Sequence, residues 1–367
     1  PQLHADKPGN ICTQKLTEHG NVEAAMAAAD VIVTREYRTQ MVEHAYIEPE
    51  ASLSYPEGDG VFIWSATKSA HLDQTEISRV LGLPKEKVHV RVPYIGGSFG
   101  GKSDLPINGM TALLAMKTGR PVRMTYKREE SMRVSTKRHP MTLRYTHGAR
   151  WDGTIVAVEG EIIADSGAYE GYSPAVLSRT VLHGSGPYNI PNVRMQAVSV
   201  FTNNPTTGAM RGFGVPQAAF ACERQIDILA AKLGMDPMEL RLKNAMRPGD
   251  IMPSGQAATS STSYYEALLT AREKMQEDVQ EHPLAPDEAW GYAGHYYGNG
   301  RTANLNPGSC VIYLEPDGKV LVTVGSPDIG QGSNTLILQL VSTVLNIGCE
   351  HISVFSGDSI QTLDSGT

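Results

Sequence analysis

The chain has 367 residues, 41% hydrophobic and 19% charged, enough apolar material for one large domain or two packed ones and without a bias toward disorder. A formal net charge of -7 argues against the basic groove that nucleic acid needs and favours small-molecule chemistry or protein partners. No apolar run reaches the ~18 residues of a membrane-spanning helix. The scattered Cys12, Cys222, Cys310 and Cys349 form no C-x-x-C pair, so no disulfide framework, zinc site or iron–sulfur cluster is expected within the chain, and the cytoplasm is the expected compartment.

The polar stretch PQLHADKPGN opens the chain and a strand nearly closes it, so both ends read as cut, and a piece of a longer polypeptide or a processed subunit is expected. Residues 1–20 are expected to be a linker. Asn21 to Asp30 is rich in helix formers, and the alternating Val31 to Tyr37 predicts a strand. The pair Asp59-Gly60 separates Ala51–Tyr55 from Val61–Trp64, a hairpin signal because both residues tolerate positive φ. A helix over about Ser69 to Leu81 and a strand over Val88 to Tyr94 lead into the glycine-rich turn Gly96-Gly-Ser-Phe-Gly-Gly-Lys-Ser103. Lys117 to Arg138 is locally basic without interleaved aromatics and is expected to be a solvated face.

Strands are expected over Thr154–Ala164 and Val193–Phe201, and the longest helix over Pro216–Leu233, with Ala219, Cys222, Ile226, Leu229 and Ala230 on one face. Asp236-Pro-Met-Glu239 opens a further helix with a cap, a proline at the first position and an acid at the third. The early layout then returns: Asp317-Gly318 turns into Lys319–Val324, a loop over Ser326–Gly332 follows, then a helix from about Asn334 to Leu345 and the strand His351–Phe355. Two similar subdomains sharing a cleft are expected, in an α+β rather than a doubly wound architecture.

The turn at 96–103 fits the phosphate-loop pattern G-x-x-x-x-G-K-[ST] letter for letter. A phosphate loop needs a buried parallel strand before it and a helix starting at its Lys. Here the preceding strand alternates as a half-exposed one, Pro93 removes a ladder donor, and Pro106 falls inside the first turns of the required helix. The best candidate for a magnesium carboxylate, within Glu161-Ile-Ile-Ala-Asp165, is poor, so nucleotide binding at Gly96–Ser103 stands as the minor alternative. Three further segments mix small residues with one or two large ones: 185–192, 207–217 and 328–335. Such loops bring backbone N–H groups against a ligand.

Taken in order, EHAYIEPE (43–50), WSATKSAH (64–71), GGSFGGK (96–102), RHP (138–140), YNIPN (188–192), AMRGFGVPQ (209–217), LGMDPMELRLKN (233–244) and DIGQG (328–332) carry a family resemblance. The chain resembles the molybdenum-binding subunit of the xanthine dehydrogenase and aldehyde oxidase family, the molybdenum hydroxylases. The resemblance implies a molybdenum-pterin cofactor, as molybdopterin or its cytosine dinucleotide. It also implies hydroxylation of an aldehyde or purine-like nitrogen heterocycle with water, and iron–sulfur and FAD centres on partner domains or subunits. It divides the chain into a first molybdopterin-binding domain over 21–250 and part of a second over 251–367, with the C-terminal remainder of the polypeptide as partner.

By the same resemblance Phe99 lies next to the molybdenum and Gly100 offers a backbone N–H to its oxo ligand, while the main chain of Arg211 approaches from the other side. Phe213 packs on the substrate ring, Arg179 orients substrate, and Gly330, Gln331 and Gly332 form a pterin-binding turn. Arg179 as a paired surface cation and Phe213 as a core aromatic are the alternatives that the residues themselves leave open. Three departures bear on specificity. Thr67-Lys68 stands where the family often has a Gln beside the metal, so a hydrogen bond becomes a cation at Lys68 or is lost. Ser103 replaces a xanthine-type Glu, with Asp104 beside it as a stand-in. A second ring-sandwiching Phe is missing from Arg301–Asn306, with Tyr296 and Tyr297 nearby.

The family's general-base Glu would fall beyond Thr367, so no catalytic residue is assigned here and the chain alone is expected to be catalytically incomplete. A structural or assembly module without bound cofactor is the competing expectation.

Overall fold

The computed structural model describes residues 1–104, 106–300 and 308–366. In chain order the strands are β1 (Ile11–His19), β2 (Val31–Thr39), β3 (Ala51–Glu57), β4 (Gly60–Ser65), β5 (Val88–Arg91), β6 (Val122–Thr125), β7 (Met141–Ala149), β8 (Ile155–Gly167), β9 (Val193–Phe201), β10 (Cys310–Leu314), β11 (Val320–Val324) and β12 (Ile352–Ser356). The helices are α1 (Val22–Ala27), α2 (Ala70–Leu81), α3 (Pro106–Thr118), α4 (Arg128–Val134), α5 (Ser173–His183), α6 (Val215–Leu233), α7 (Pro237–Asn244), α8 (Tyr264–Glu281) and α9 (Ser333–Leu345). This is the expected α+β mixture. The described residues form two compact units that interleave along the chain.

The first unit comprises residues 1–42, 139–207 and 212–302. Its sheet has the order β1-β9-β8-β7-β2, antiparallel except for the β8–β9 pair. Residues 1–20 are therefore not a plain linker: β1 runs antiparallel to β9 down to His19↔Val193. Helix α6 begins at Gly214, which caps it with φ +91°, and ends on left-handed Gly234. Its buried stripe of Ala221, Cys222, Ile226, Leu229 and Ala230 meets Leu143, Tyr145, Ile162 and Met195 of the sheet and Leu177 of α5 in one core, while Ala219, expected on this face, is only half-buried. Each large aliphatic side chain buried there contributes about 1.5–3 kcal/mol. Asp236 caps α7 as expected, accepting from the N–H groups of Met238 and Glu239.

Tyr188 and Ile190 of the segment 185–192 pack into this core. Tyr188 is buried and donates to Glu223 Oε1 (2.5 Å), whose other oxygen takes Arg241 Nε at 2.9 Å. Asn189 N–H and Asn192 Nδ2 bond the backbone carbonyls of Asn244 and Val156.

The second unit comprises residues 43–138, 208–211 and 303–367. It contains both copies of the repeated layout, and their topologies agree. In the first, β3 and β4 form an antiparallel hairpin, α2 crosses over, and β5 returns parallel to β4. In the second, β10 and β11 form the hairpin, α9 crosses over, and β12 returns parallel to β11. The chain after β12 runs along β5, with Val92 N–H on Gly357 O (2.8 Å) and Ser359 N–H on Val90 O (2.9 Å). Pro106 begins α3 instead of breaking it, because a first-turn residue needs no N–H partner.

Candidate cofactor-binding site

The turn 96–103 is held from beneath by the segment 43–50. Lys102 is fully buried, with its ammonium 2.8 Å from Glu48 Oε2 and 4.8 Å over the ring of Tyr46. Burial pulls its pKa down, against the pull of Glu48 upward. The same Glu48 oxygen accepts the Gly96 N–H at 2.6 Å. A carboxylate thus occupies both the amide and the cation that a phosphate loop would offer its nucleotide. Residues 101–103 form only a short 3₁₀ turn and α3 starts at Pro106, so the helix dipole is not at Lys102. The nucleotide alternative is therefore set aside.

Other parts of the 43–50 segment and of the basic stretch serve as anchors. His44 Nε2 lies 2.7 Å from Ala209 O, and Arg128 Nη2 donates to the carbonyls of Tyr46 and Ile47. Lys137 Nζ is 2.6 Å from Glu43 Oε2. Burial by itself raises the Glu43 carboxyl, but hydrogen bonds from His44, Lys137 and Ser135 outweigh it and hold it at about 2. Arg138 donates to Arg211 O at 2.8 Å. The expected solvated face is thus in part a set of internal anchors.

Three glycine-rich segments converge in this unit. Phe99 O accepts the Arg211 N–H at 2.8 Å. A Cβ on Gly100, at φ +104°, would stand 2.6 Å from Ala209 O. A Cβ on Gly330, at φ +105°, would stand 3.2 Å from Ile95 O and 3.4 Å from Gly97 N. Both positions favour glycine for their positive φ, and Gly100 also for its close approach to Ala209. Phe99 itself has φ +51° and is 47% exposed. Left-handed backbone costs a residue with a Cβ about 1–2 kcal/mol, and an exposed aromatic held there recovers little of that by burial.

Asp328 organises the turn at 328–332. Its Oδ1 accepts from Gly330 N–H (2.9 Å) and Gly332 N–H (3.2 Å), and its Oδ2 from Asn334 N–H (3.3 Å). Partial burial works to raise this carboxyl, but those backbone bonds prevail and keep it below its ordinary value. Gln331 folds back on the turn, its Oε1 taking the Ile329 N–H at 2.7 Å.

Beside the glycine-rich turn lie polar groups that the protein does not satisfy. Ser103 Oγ, Asp104 Oδ2 and Thr136 Oγ1 are buried without a hydrogen-bond partner among the described residues. A Cβ on Gly208 would come within 2.8 Å of Thr136 Cβ and 3.1 Å of Asp104 Oδ2, so Thr136 and Asp104 both adjoin Gly208. Burial raises the Asp104 carboxyl to about 6, with the charge of Lys68 opposing the rise. Unsatisfied buried polar atoms cost about 1–3 kcal/mol each unless a ligand or water meets them. Close-approach glycines beside oxygen-bearing orphans suit a polar, hydrogen-bonding organic group, so the residues present fit a pterin cofactor. Below them Asp73, raised by burial to about 7, accepts from Ser65, Thr67 and Asn108.

Arg179 and Phe213 belong to the first unit. Arg179 is buried, not a surface cation: Nη1 donates to Gly298 O at 2.7 Å, Nη2 to Gly300 O, and the guanidinium lies 4.4 Å from the Tyr297 ring centre. Among the described residues it has no carboxylate partner. Phe213, at φ +50° between Gly212 and Gly214, packs half-buried on the core with Tyr172 edge-on at 6.0 Å. The segment expected to hold a second Phe, Arg301–Asn306, lies outside the described residues. Sequence reasoning missed His44, Glu48 and Asp328 as organisers, although each lies inside a quoted motif.

Profiles described as the molybdopterin cofactor-binding domain match residues 3–245 and 263–367. The nicotinate dehydrogenase large molybdopterin subunit of Eubacterium barkeri is 44% identical over 278 residues, covering 76% of this chain and 65% of that one. A probable xanthine dehydrogenase subunit of Bacillus subtilis is 35% identical, covering 100% of this chain and 49% of its own length. The solved aldehyde oxidoreductase from Desulfovibrio gigas superimposes with a TM-score of 0.89 at 29% identity, over 100% of this chain and 41% of that one. This chain thus spans about two fifths to two thirds of the length of these three relatives. Among the described residues no helix is long and apolar enough to cross a membrane. With both profiles matched in order over a shared fold, the chain belongs to the molybdopterin cofactor-binding family of the molybdenum hydroxylases, that of the molybdenum-binding subunits of xanthine dehydrogenase and aldehyde oxidase.

Proposed function

We propose that the chain is the molybdenum-pterin-binding portion of an oxidoreductase that hydroxylates a nitrogen heterocycle or an aldehyde with water. The observation that carries this reading is the meeting of the turns at 96–103, 208–211 and 328–332 in one unit, beside buried polar atoms that lack protein partners. Likeness to a nicotinate dehydrogenase subunit favours the heterocycle over the aldehyde. The two profile matches support reading 21–250 and 251–367 as successive molybdopterin-binding domains, with β1 added to the first.

When bound, the molybdenum-pterin group supplies a two-electron oxidation centre with water as the oxygen source. The chain's residues position and shield that chemistry. The Gly100 N–H would donate to an oxygen of the bound cofactor, and the turn Gly330-Gln331-Gly332, fixed by Asp328, would hold the pterin. Phe99, Lys68 and the main chain at Arg211 would lie beside the bound metal. Arg179 offsets negative charge developing on the heterocycle, and Phe213 packs against the ring face. Ser103 and Asp104 hydrogen-bond the substrate, Asp104 titrating close enough to neutrality to hold or release a proton. No base for the water is assigned among these residues, and iron–sulfur and FAD centres on partner domains or subunits would take up the electrons.

The native assembly, offered nicotinate or an aromatic aldehyde with an artificial electron acceptor in ¹⁸O-labelled water, tests the reading. Reduction of the acceptor together with ¹⁸O in the product is expected. Acceptor reduction with unlabelled product, or no turnover by an assembly loaded with molybdenum, overturns it.

A further inference from the structure

A cleft of about 540 Å³ opens in the first unit between α7, α8 and the turn that joins β7 to β8. None of its lining residues is among those assigned above to cofactor or substrate. Its apolar lining is Met235, Leu242 and Leu269. Met235 is seated against Gly153 of the turn, where an added Cβ would meet its Cε at 2.6 Å. A volume of this size with apolar walls and a few polar groups is that of a small-molecule site.

The charges that line the cleft are unevenly spent. Lys243 Nζ lies 3.3 Å from Asp152 Oδ2, tying α7 to the turn, and Arg272 Nη1 lies 2.7 Å from Glu239 Oε1, tying α8 to α7. Arg247 is the third cation of the lining, and among the described residues its guanidinium has neither a carboxylate nor a hydrogen-bond partner. Its guanidinium carbon stands 3.8 Å from the centre of the Tyr265 ring. The backbone beneath it is fixed as well: the Arg247 N–H donates to Asp250 Oδ2 at 2.7 Å, and Asp250 Oδ1 accepts from Asn189 Nδ2 at 2.8 Å. A guanidinium held by a ring keeps its N–H donors available, and little further order is needed when they bind an oxyanion.

We propose that this cleft binds a small monocarboxylate with a flat apolar body. Arg247 receives the carboxylate through two parallel N–H donors, and the body lies along Met235, Leu242 and Leu269 beside Tyr265. The charge of the lining sets the valence of the ligand. Lys243 and Arg272 are neutralised by Asp152 and Glu239, which leaves one positive charge to be met and two carboxylates that repel a further anionic group. The chain as a whole carries a net charge of -7, so the attraction for an anion is confined to the cleft. The site is independent of the reaction proposed above and stands whether or not that reading is correct.

Hydrogen exchange of residues 243–250 and 264–272 in the native assembly, followed through a titration with benzoate, tests it, because this readout is local to the cleft. Benzoate is expected to slow exchange in both segments, and benzamide, a neutral molecule of the same shape, is expected not to. Arg247→Gln is expected to raise the benzoate concentration needed by about tenfold or more. Glu239→Gln, which frees Arg272 to join the contact, is expected to lower it by about threefold. Both variants are expected to melt with the parent assembly. Protection by benzamide equal to that by benzoate overturns the proposal, as does protection that survives Arg247→Gln or that Glu239→Gln leaves unchanged or weakens. Tighter binding of phenyl phosphate, whose single group carries nearly two charges, overturns the monocarboxylate assignment. Protection by inorganic phosphate at the benzoate concentrations marks an adventitious ion only and overturns the proposal too.

Discussion

Gly100→Ala is the sharpest perturbation of the glycine-rich turn. The added Cβ would stand 2.6 Å from Ala209 O and 2.9 Å from its carbonyl carbon, both backbone atoms that no rotamer change can move. The residue also sits at φ +104°, a backbone region that costs an alanine about 1–3 kcal/mol. Relieving the overlap separates the turn from residues 209–211 and strains the Arg211 N–H to Phe99 O bond, a further ~1 kcal/mol. The expected total is about 2–4 kcal/mol. Gly82→Ala is the matched control, since Gly82 has φ +67° and no atom within 4 Å of its added Cβ, leaving only a conformational cost of about 1 kcal/mol. Urea unfolding of the parent and both variants measures the difference. If Gly100→Ala costs no more than Gly82→Ala, the close approach of the two segments is not real.

Other consequences follow from the same geometry. Glu48→Gln leaves the buried Lys102 cation without its counter-charge and is expected to destabilise by about 3 kcal/mol in urea titration. ATP is expected not to bind the intact chain in equilibrium dialysis, because Glu48 already occupies the loop. Asp104 moves from 3.8 to about 6 on folding, so the folded state holds the proton more tightly; that contribution is present below about pH 4 and is lost as pH rises toward 6. Asp104→Asn is therefore expected to match the parent at pH 4 and to exceed it at pH 8 by up to about 3 kcal/mol, read from melting curves at both values. Arg179→Lys keeps the charge but loses the planar fork, and steady-state assays of the assembly should show about a hundredfold loss of kcat on a heterocycle with a smaller loss on an aldehyde.

The elements that could be read from the sequence are those whose signals are local. The Asp59-Gly60 and Asp317-Gly318 turns, the Asp236 cap and the apolar stripe of α6 each predict an element from its own residues, and the repeated hairpin–helix–strand layout followed from them. Strand β1 escaped notice because only Cys12 and Thr17 of its nine residues are buried, so its alternation carries little apolar contrast. Helix α8 buries only Leu268 and reads as a charged surface segment. The roles of Glu48 and Asp328 depend on which amides they reach in the folded chain, and no local pattern encodes that. The 185–192 loop shows that the same spacing can also serve packing. Its Gly and Pro spacing resembles a cofactor loop, but Glu223 on α6 draws Tyr188 into the core.

The central claim is that these turns hold a molybdenum-pterin cofactor. Elemental analysis for molybdenum, paired with fluorescence assay of the oxidised pterin, on the intact native assembly containing this chain tests it most directly. The account predicts equimolar molybdenum and pterin, with both reduced together in the folded Gly100→Ala and Gly330→Ala assemblies. A correctly folded, intact assembly that contains neither would contradict it.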